Sequence, residues 1–492
     1  MNYNSSSVVI VAQQVSLCPP LPRVVGPVEF TEFCARWTRL DALLRAGVER
    51  DFVTRSLRHH VRRRPMTLSE QAAFQQESRR ALRCTVARAL LVESLRDFSR
   101  HLAESAVLQR FCLLGDVEAV PIPGHSQVQR YQYWLPAEEM RAVITGLVAQ
   151  AQGTDAPATL GLAAPVELGT VWLDSTCAAT HIHYPVDWLL LRDAVRMLLG
   201  AMGVVRTHGL KHRMPEPATL QKTMNQLCIK MTHAGKGEKG KQRRKAVLRE
   251  MKALVQTVYA HAERYVALVE ALPTPCGWAV AAARRMRAVL VKLPAVLRQV
   301  HERLIGERPV ATAEKVLSLH EPDTAVITRG KAGAQVEFGH SLLLVEQRDG
   351  LIVDWALPRA PQPDGMLLTE ALPRWETAYG RRTIRTAVTD RGFDGRGSRE
   401  ALAAAEIANG LCPRSPRQLA ARLADDPAFG AQQRRRAQTE GRVAIVKQTF
   451  LAGRLHTKGH AHHEQEIAGV ILAHNLWVLA RLPVACELMC AA

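Results

Sequence analysis

The sequence predicts an α/β protein built on a mixed sheet, with a helical domain ahead of the sheet and a large helical insertion within it. Three observations predict this. Residues 28–160 show helical periodicity with little strand signal. Short β-branched and apolar runs near 170–173, 325–329, 335–346, 351–357 and 383–389 then alternate with helical stretches. Between the first of these runs and the second lies a long helical and strongly basic segment, 189–320.

Composition narrows the partner. The 492 residues carry 65 Lys and Arg against 46 Asp and Glu, a net +19 with a pI near 9.9. Such an excess points to a polyanion, because phosphate neutralisation drives nucleic-acid binding. There is no run of 18 apolar residues to span a membrane, and residues 8–12 are too short for the core of a signal peptide. The ten cysteines are scattered, with only Cys486 and Cys490 closely spaced. That suits reduced thiols in a cytosolic protein rather than a disulfide framework or a zinc finger.

Residues 1–27 are aperiodic and read as a flexible arm. Thr67-Leu68-Ser69-Glu70 is a capping box opening one long helix, with its apolar stripe on Leu91, Leu95, Phe98 and Leu102. Arg50, Arg55, Arg58, Arg62, Arg63 and Arg64 crowd together just before it. They form either a solvated face or, given the charge of the whole chain, a phosphate-contacting one. Pro121, Pro123 and Gly124 break the helical pattern. Tyr131, Tyr133 and Trp134 around Arg130 suit a buried aromatic corner better than a base-stacking surface. A helix over 136–150 and a Gly/Ala/Pro linker near 153–165 close the helical domain of 28–160.

A short strand then ends in Asp174-Ser175-Thr176. Asp187 reads as the acid that starts the next helix, not as a ligand. His181 and His183 lack a third ligand nearby and read as core or phosphate contacts. Between Arg206 and Lys252 stand 13 Lys and Arg against 3 Glu, a net +10 of the whole +19. Gly235-Lys236-Gly237-Glu238-Lys239-Gly240-Lys241 imitates a phosphate-binding loop in its glycines. Gln242, however, stands where Ser or Thr must meet Mg²⁺, and no strand precedes the run, which excludes an NTPase. The run reads as a mobile basic loop before a helix over 244–272. Lys236, Lys239, Lys241, Arg243, Arg244 and Lys245 are its candidate DNA-phosphate contacts. A second helix, from about Ala279, kinks at Pro294.

From Asp323 the strands resume, with Arg348-Asp349-Gly350 as a hairpin turn. A helix over 366–379 leads to the strand 383–389 and Asp390, and Gly392 and Gly395 turn the chain out. A helix over 398–407, a stop at Asn409-Gly410 and a short strand 411–413 follow. In the last part Val443, Val446 and Phe450 recur with helical spacing.

The chemistry lies in three acids. A carboxylate where an α/β strand ends is placed as such folds place metal and phosphate chemistry, although a single Asp-x-Gly is equally a turn. Arg436, Glu440 and Lys447 recur at four and seven residues and share one helix face, which alone would suit a solvated charged face. Asp174, Asp390 and Glu440 taken together form an acidic triad able to hold two divalent cations. Mg²⁺ takes oxygen ligands and keeps positions open for water and phosphate. Two such ions about 4 Å apart activate the attacking oxygen and stabilise the leaving one at phosphorus.

Asp174-Ser175-Thr176, Thr389-Asp390-Arg391-Gly392-Phe393 and Arg436-x3-Glu440-x6-Lys447 resemble the DDE transposases of bacterial insertion sequences. Supporting blocks are Ile182-His183-Tyr184-Pro185-Val186-Asp187, Arg329-Gly330-Lys331, Glu337-Phe338-Gly339-His340 and His474-Asn475-Leu476-Trp477. The resemblance covers roughly residues 170–480. One departure is plain: the related signature has Tyr three residues before the Arg, and here that position is Gln433. The strand and helix order matches a ribonuclease-H-like core over 161–188 and 321–484, with the insertion at 189–320 and a tail at 485–492. The resemblance implies DNA recognition by the domain of 28–160. It also implies cutting and joining of double-stranded DNA at element ends and target with two Mg²⁺, for which Mn²⁺ can substitute. Asp174, Asp390 and Glu440 are the catalytic ligands, and Arg436 and Lys447 hold phosphate. A homodimer or larger synaptic complex and a cytoplasmic, nucleoid-associated location complete the expectation. A metal-dependent nuclease without joining, or a domesticated DNA-binding protein, are the alternatives. His456, His460, His462 and His463 imitate a zinc cluster, but beside such a core they suit DNA contact or solvent exposure.

Overall fold

The computed structural model describes residues 25–62, 64–115, 119–331 and 334–484. The expected arm up to residue 24, Arg63 and the tail 485–492 lie outside the described residues. The described chain is a mixed α/β fold in two compact units, one of residues up to Ala179 with those from Gly339 onward, the other Thr180–Phe338. Among the described residues no helix is long and apolar enough to cross a membrane.

In the first unit the capping box forms as its residues dictate. Thr67 Oγ1 accepts from the Glu70 N–H at 3.2 Å, and Glu70 returns a carboxylate to the Thr67 N–H at 2.8 Å. The single long helix expected beyond it is two, Leu68–Leu91 and Leu95–Glu104. Val92 turns left-handed (φ 56), and the Ser94 hydroxyl caps the Asp97 N–H at 3.2 Å, which ends one helix and starts another. In the aromatic corner Tyr131 is buried and donates to Glu77 at 2.5 Å, while the half-buried Trp134 donates its indole N–H to Ser78 at 2.9 Å. The stretch expected as a linker carries a short helix, Ala156–Leu160, with Leu160 and Leu162 buried.

One hydrophobic core joins Trp37, Leu82 and Leu147 on the N-terminal helices to Val171, Leu344 and Ala387 on the sheet and Ile471 on the helix His460–Leu479. Asp354 and Asn475 are buried polar groups of this unit whose partners are supplied by the fold. Asp354 accepts from Arg141 at 2.7 Å, Arg374 at 2.8 Å and Trp375 at 3.1 Å. The Asn475 amide pairs with both the N–H and the C=O of Ile352, at 2.9 and 2.8 Å.

The strands are β1 Thr170–Ala179, β2 Ala325–Lys331, β3 Ala334–Gln347, β4 Ile352–Ala356, β5 Thr386–Thr389 and β6 Ala408–Leu411. They form a mixed sheet ordered β2-β3-β1-β5-β6, with β4 also on β3. β1 runs antiparallel to β3 and parallel to β5, and β6 runs parallel to β5. Three expectations need correction. β1 does not end at Asp174 but continues to Ala179, because β3 pairs along it as far as Gly339. β5 begins only at Thr386, since Arg382 turns left-handed (φ 65). Asn409-Gly410 is not a stop but part of β6. A Cβ at Gly410 would stand 2.6 Å from the Ala387 carbonyl, so glycine lets the strands close.

In the second unit the helices Asp187–Thr207, Pro217–Thr232, Gly237–Glu270 and Gly277–Val300 enclose their own core of Leu198, Met224, Val258 and Met286. Asp187 begins its helix as expected, and its carboxylate accepts from Gln299 and Arg303 at 2.7 Å each. Pro294 sits inside a continuous helix. The expected basic loop is largely helix. Gly235 and Gly237 (φ 82 and 77) make the turn, and the helix starts at Gly237, earlier than expected.

Candidate active site

The helix Pro427–Ala444 carries two stripes with different partners. The first anchors it to the sheet. The Trp172 indole of β1 donates to the Gln432 carbonyl at 3.0 Å, and the Arg435 guanidinium stacks over the same indole, 4.3 Å from its centre. The buried carboxylate of Glu346 on β3 accepts from Arg435, from Thr439 at 2.7 Å and from Arg442 at 3.2 Å. Gln433, Arg436 and Glu440 recur at three and seven residues and so make up a second stripe.

The acids meet that second stripe. β1 and β5 are in register at Trp172 and Val388, so two residues further on Asp174 stands beside Asp390, where β5 has ended and β1 has not. Asp174 is therefore at the end of the parallel pairing although it is inside its own strand. Its carboxyl is pushed up to about 6. Burial is the largest cause, the neighbouring Asp390 adds to it and Glu440 contributes less, while Arg436 and the Ser175 N–H, 2.8 Å away, oppose the rise. Asp390 Oδ1 accepts from the Gly392 N–H at 2.9 Å. A Cβ at Gly392 would lie 2.6 Å from Asp364 Oδ2, so a larger residue there would push that carboxylate aside. Beyond it, buried Asp394 holds Arg399 at 2.8 Å and the Arg414 N–H at 3.1 Å, fixing the loop from both sides.

Glu440 is half exposed and accepts from Arg436 at 2.8 Å. The structure thus brings Asp174, Asp390, Arg436 and Glu440 into one electrostatic neighbourhood. Among the described residues, however, no three His, Cys, Asp or Glu side chains form a ready metal-holding group. The donor chemistry nonetheless fits a hard cation. It is oxygen only, and a divalent ion would offset the burial and the neighbouring acids that raise the Asp174 carboxyl. Lys447 lies beyond Ala444, in the stretch Ile445–Phe450 where the helix has π geometry.

The six basic candidates of the second unit divide. Lys241 and Lys245 both reach Glu307, at 2.6 Å each, and hold its carboxyl down at about 2. Arg244 donates to the Gly235 carbonyl at 2.7 Å, closing the helix start. Lys236, Lys239 and Arg243 stand exposed. The histidines expected in solvent or on DNA include two that are buried. His463 contacts His340 at 3.1 Å, and His460 contacts the Leu357 carbonyl at 2.8 Å. His462 stays exposed and packs on Tyr133.

Sequence reasoning missed Glu346 with Arg435 and Arg442, and it missed Gln433. The signal for Glu346 is a lone carboxylate after the apolar run Leu342-Leu343-Leu344-Val345, a residue type seldom buried without partners. Comparison of the chain with family models, with curated proteins and with solved structures found no match.

Proposed function

We propose that the chain is a DDE-type DNA transposase, its sheet a ribonuclease-H-like core, acting on the ends of a bacterial insertion sequence and on target DNA. The observation that carries this reading is the placing of Asp174 on β1 and Asp390 just past the end of the parallel β5, near the Arg436–Glu440 stripe. Asp174, Asp390 and Glu440 would hold two Mg²⁺, or Mn²⁺ in their place. Bound there, the ions supply activation of the attacking oxygen and stabilisation of the leaving one. The rest falls to the chain itself. Arg436 exchanges its bond to Glu440 for a DNA phosphate once the carboxylate has another partner, and Lys447 adds a point charge further along the helix. Water attacks the phosphodiester, and the 3′ oxygen leaves with a proton as a free hydroxyl. That hydroxyl then attacks a target phosphodiester, so one bond forms as one breaks at each phosphorus. The excess of +19 suits this polyanionic substrate. The protein would assemble as a dimer or larger around two ends, in the bacterial cytoplasm and on the nucleoid.

End-labelled DNA carrying the flanks of the source element tests this. Mg²⁺-dependent cleavage followed by joining is expected. Cleavage alone makes the protein a nuclease, and binding without either makes it a DNA-binding protein only.

A further inference from the structure

We propose that Gln433 is a positioning residue that ties the end of β5, and with it Asp390, to the helix carrying Arg436 and Glu440; its bearing on catalysis rests on the function proposed above. The Gln433 amide nitrogen donates to two carbonyls on neighbouring strands, Gly410 of β6 at 2.8 Å and Thr389 of β5 at 3.4 Å. Thr389 is the last residue of β5, directly before Asp390. Its carbonyl also accepts the Cys412 N–H at 3.3 Å, and its hydroxyl donates to the Asp390 carbonyl at 3.0 Å. Four parallel residues are a short strand, and its ladder with β6 ends at Thr389 with the single Cys412 N–H bond. One side chain bridging β5 and β6 closes that end. Because Gln433 precedes Arg436 by three residues and Glu440 by seven, the same bridge sets the distance between the Glu440 stripe and Asp390. Glu346 anchors the helix to β3 and the Trp172 indole anchors it to β1, while Gln433 is its tie to β5 and β6.

Gln433→Met keeps length and volume and removes both hydrogen bonds, and Gln433→Glu removes the donor and keeps polarity. In the full-length chain, either variant should speed amide exchange over residues 390–395 and at Cys412 by about 10-fold, with exchange in the helix His460–Leu479 unchanged. Cleavage turnover should fall by about 10-fold or more while the concentration of DNA for half-saturation stays constant, because a shift of a reacting group acts on the chemical step. Unchanged exchange at 390–395 in both variants overturns the proposal. Faster exchange with wild-type turnover reduces Gln433 to a brace of the fold and also overturns it as a positioning residue. If the wild-type chain cuts no DNA, the functional reading fails, and exchange alone decides whether Gln433 holds Asp390.

Discussion

Glu346 and Asp174 stand on neighbouring strands, β3 and β1, in the same sheet and beside the same helix. Glu346 pairs across the ladder with Trp172, and Asp174 with Leu344. The first carboxylate is buried and meets Arg435, Arg442 and Thr439. The second meets one backbone N–H, Arg436 and two further acids, and burial first, then Asp390, pushes it up to about 6. A buried acid given enough donors fixes a helix on a sheet. One buried beside like charges with fewer donors opposes the folded state, which is a mark of candidate functional groups. The difference separates the part of the helix that holds the fold from the part that borders the proposed site.

The sharpest break in this comparison is functional. Asp174→Asn or Asp390→Ala should lower Mg²⁺-dependent cleavage by about 10³-fold or more, since each would remove a carboxylate from the proposed metal site. Binding to element ends, read by gel shift, should stay level or tighten as repulsion of phosphate falls. Retained cleavage by Asp390→Ala would falsify the proposed chemistry.

The next effect belongs to the other carboxylate. Glu346→Gln leaves two arginines facing each other in a half-buried site and should destabilise the protein by about 3–5 kcal/mol in denaturant unfolding. A loss under 1 kcal/mol would mean that the arginines relax into solvent and that Glu346 is not the anchor.

Asp174 should behave in the opposite sense. Its carboxyl lies near 3.8 when unfolded and about 6 when folded, so the folded state holds a proton that the unfolded state has lost. That contribution is complete below about pH 4 and disappears as pH rises through about 6. Asp174→Asn should therefore stabilise the metal-free protein by about 1–2 kcal/mol at pH 7, after allowance for solvent screening, and by nothing at pH 4. Unfolding curves at the two pH values check it. Equal differences at both would show that the gain comes from the amide's packing rather than from charge.

The smallest effects test the same contrast among cations. Changing the exposed Lys236, Lys239 and Arg243 to Gln should flatten the slope of log K against log salt for DNA binding by about 1–3. Lys241→Gln with Lys245→Gln should flatten it less, because Glu307 already neutralises part of that pair. Equal slopes in the two sets would remove the distinction between paired and exposed charge. Lys447→Ala should weaken cleavage only a few-fold at limiting DNA, because it removes a single point charge.

What the sequence determined by itself is local and periodic. Thr67 and Glu70 specify a helix start within one turn, and Asp187 specifies another. The apolar run 342–345 specifies an interior strand. Alternation of such runs with helices specifies a mixed α/β fold. Asp174, Asp390 and Glu440 could each be singled out, because a carboxylate closing an apolar strand or repeating on a helix face departs from its surroundings. The tertiary structure decided everything that depends on which segments pair. Only the β1–β5 register sets Asp174 beside Asp390, and only the length of β3 carries β1 beyond Asp174. Only β6 turns Asn409-Gly410 from a stop into a strand, and only packing buries His460 and His463. Glu307, 62 residues beyond Lys245, neutralises part of a charge that the sequence presents as free. Likewise Gln433, one polar residue among many on its helix, acquires a role when two strands end within reach of its amide. Hydrogen bonds and charges act over a few ångströms of space, and the sequence sets those distances only within a turn or two of the chain.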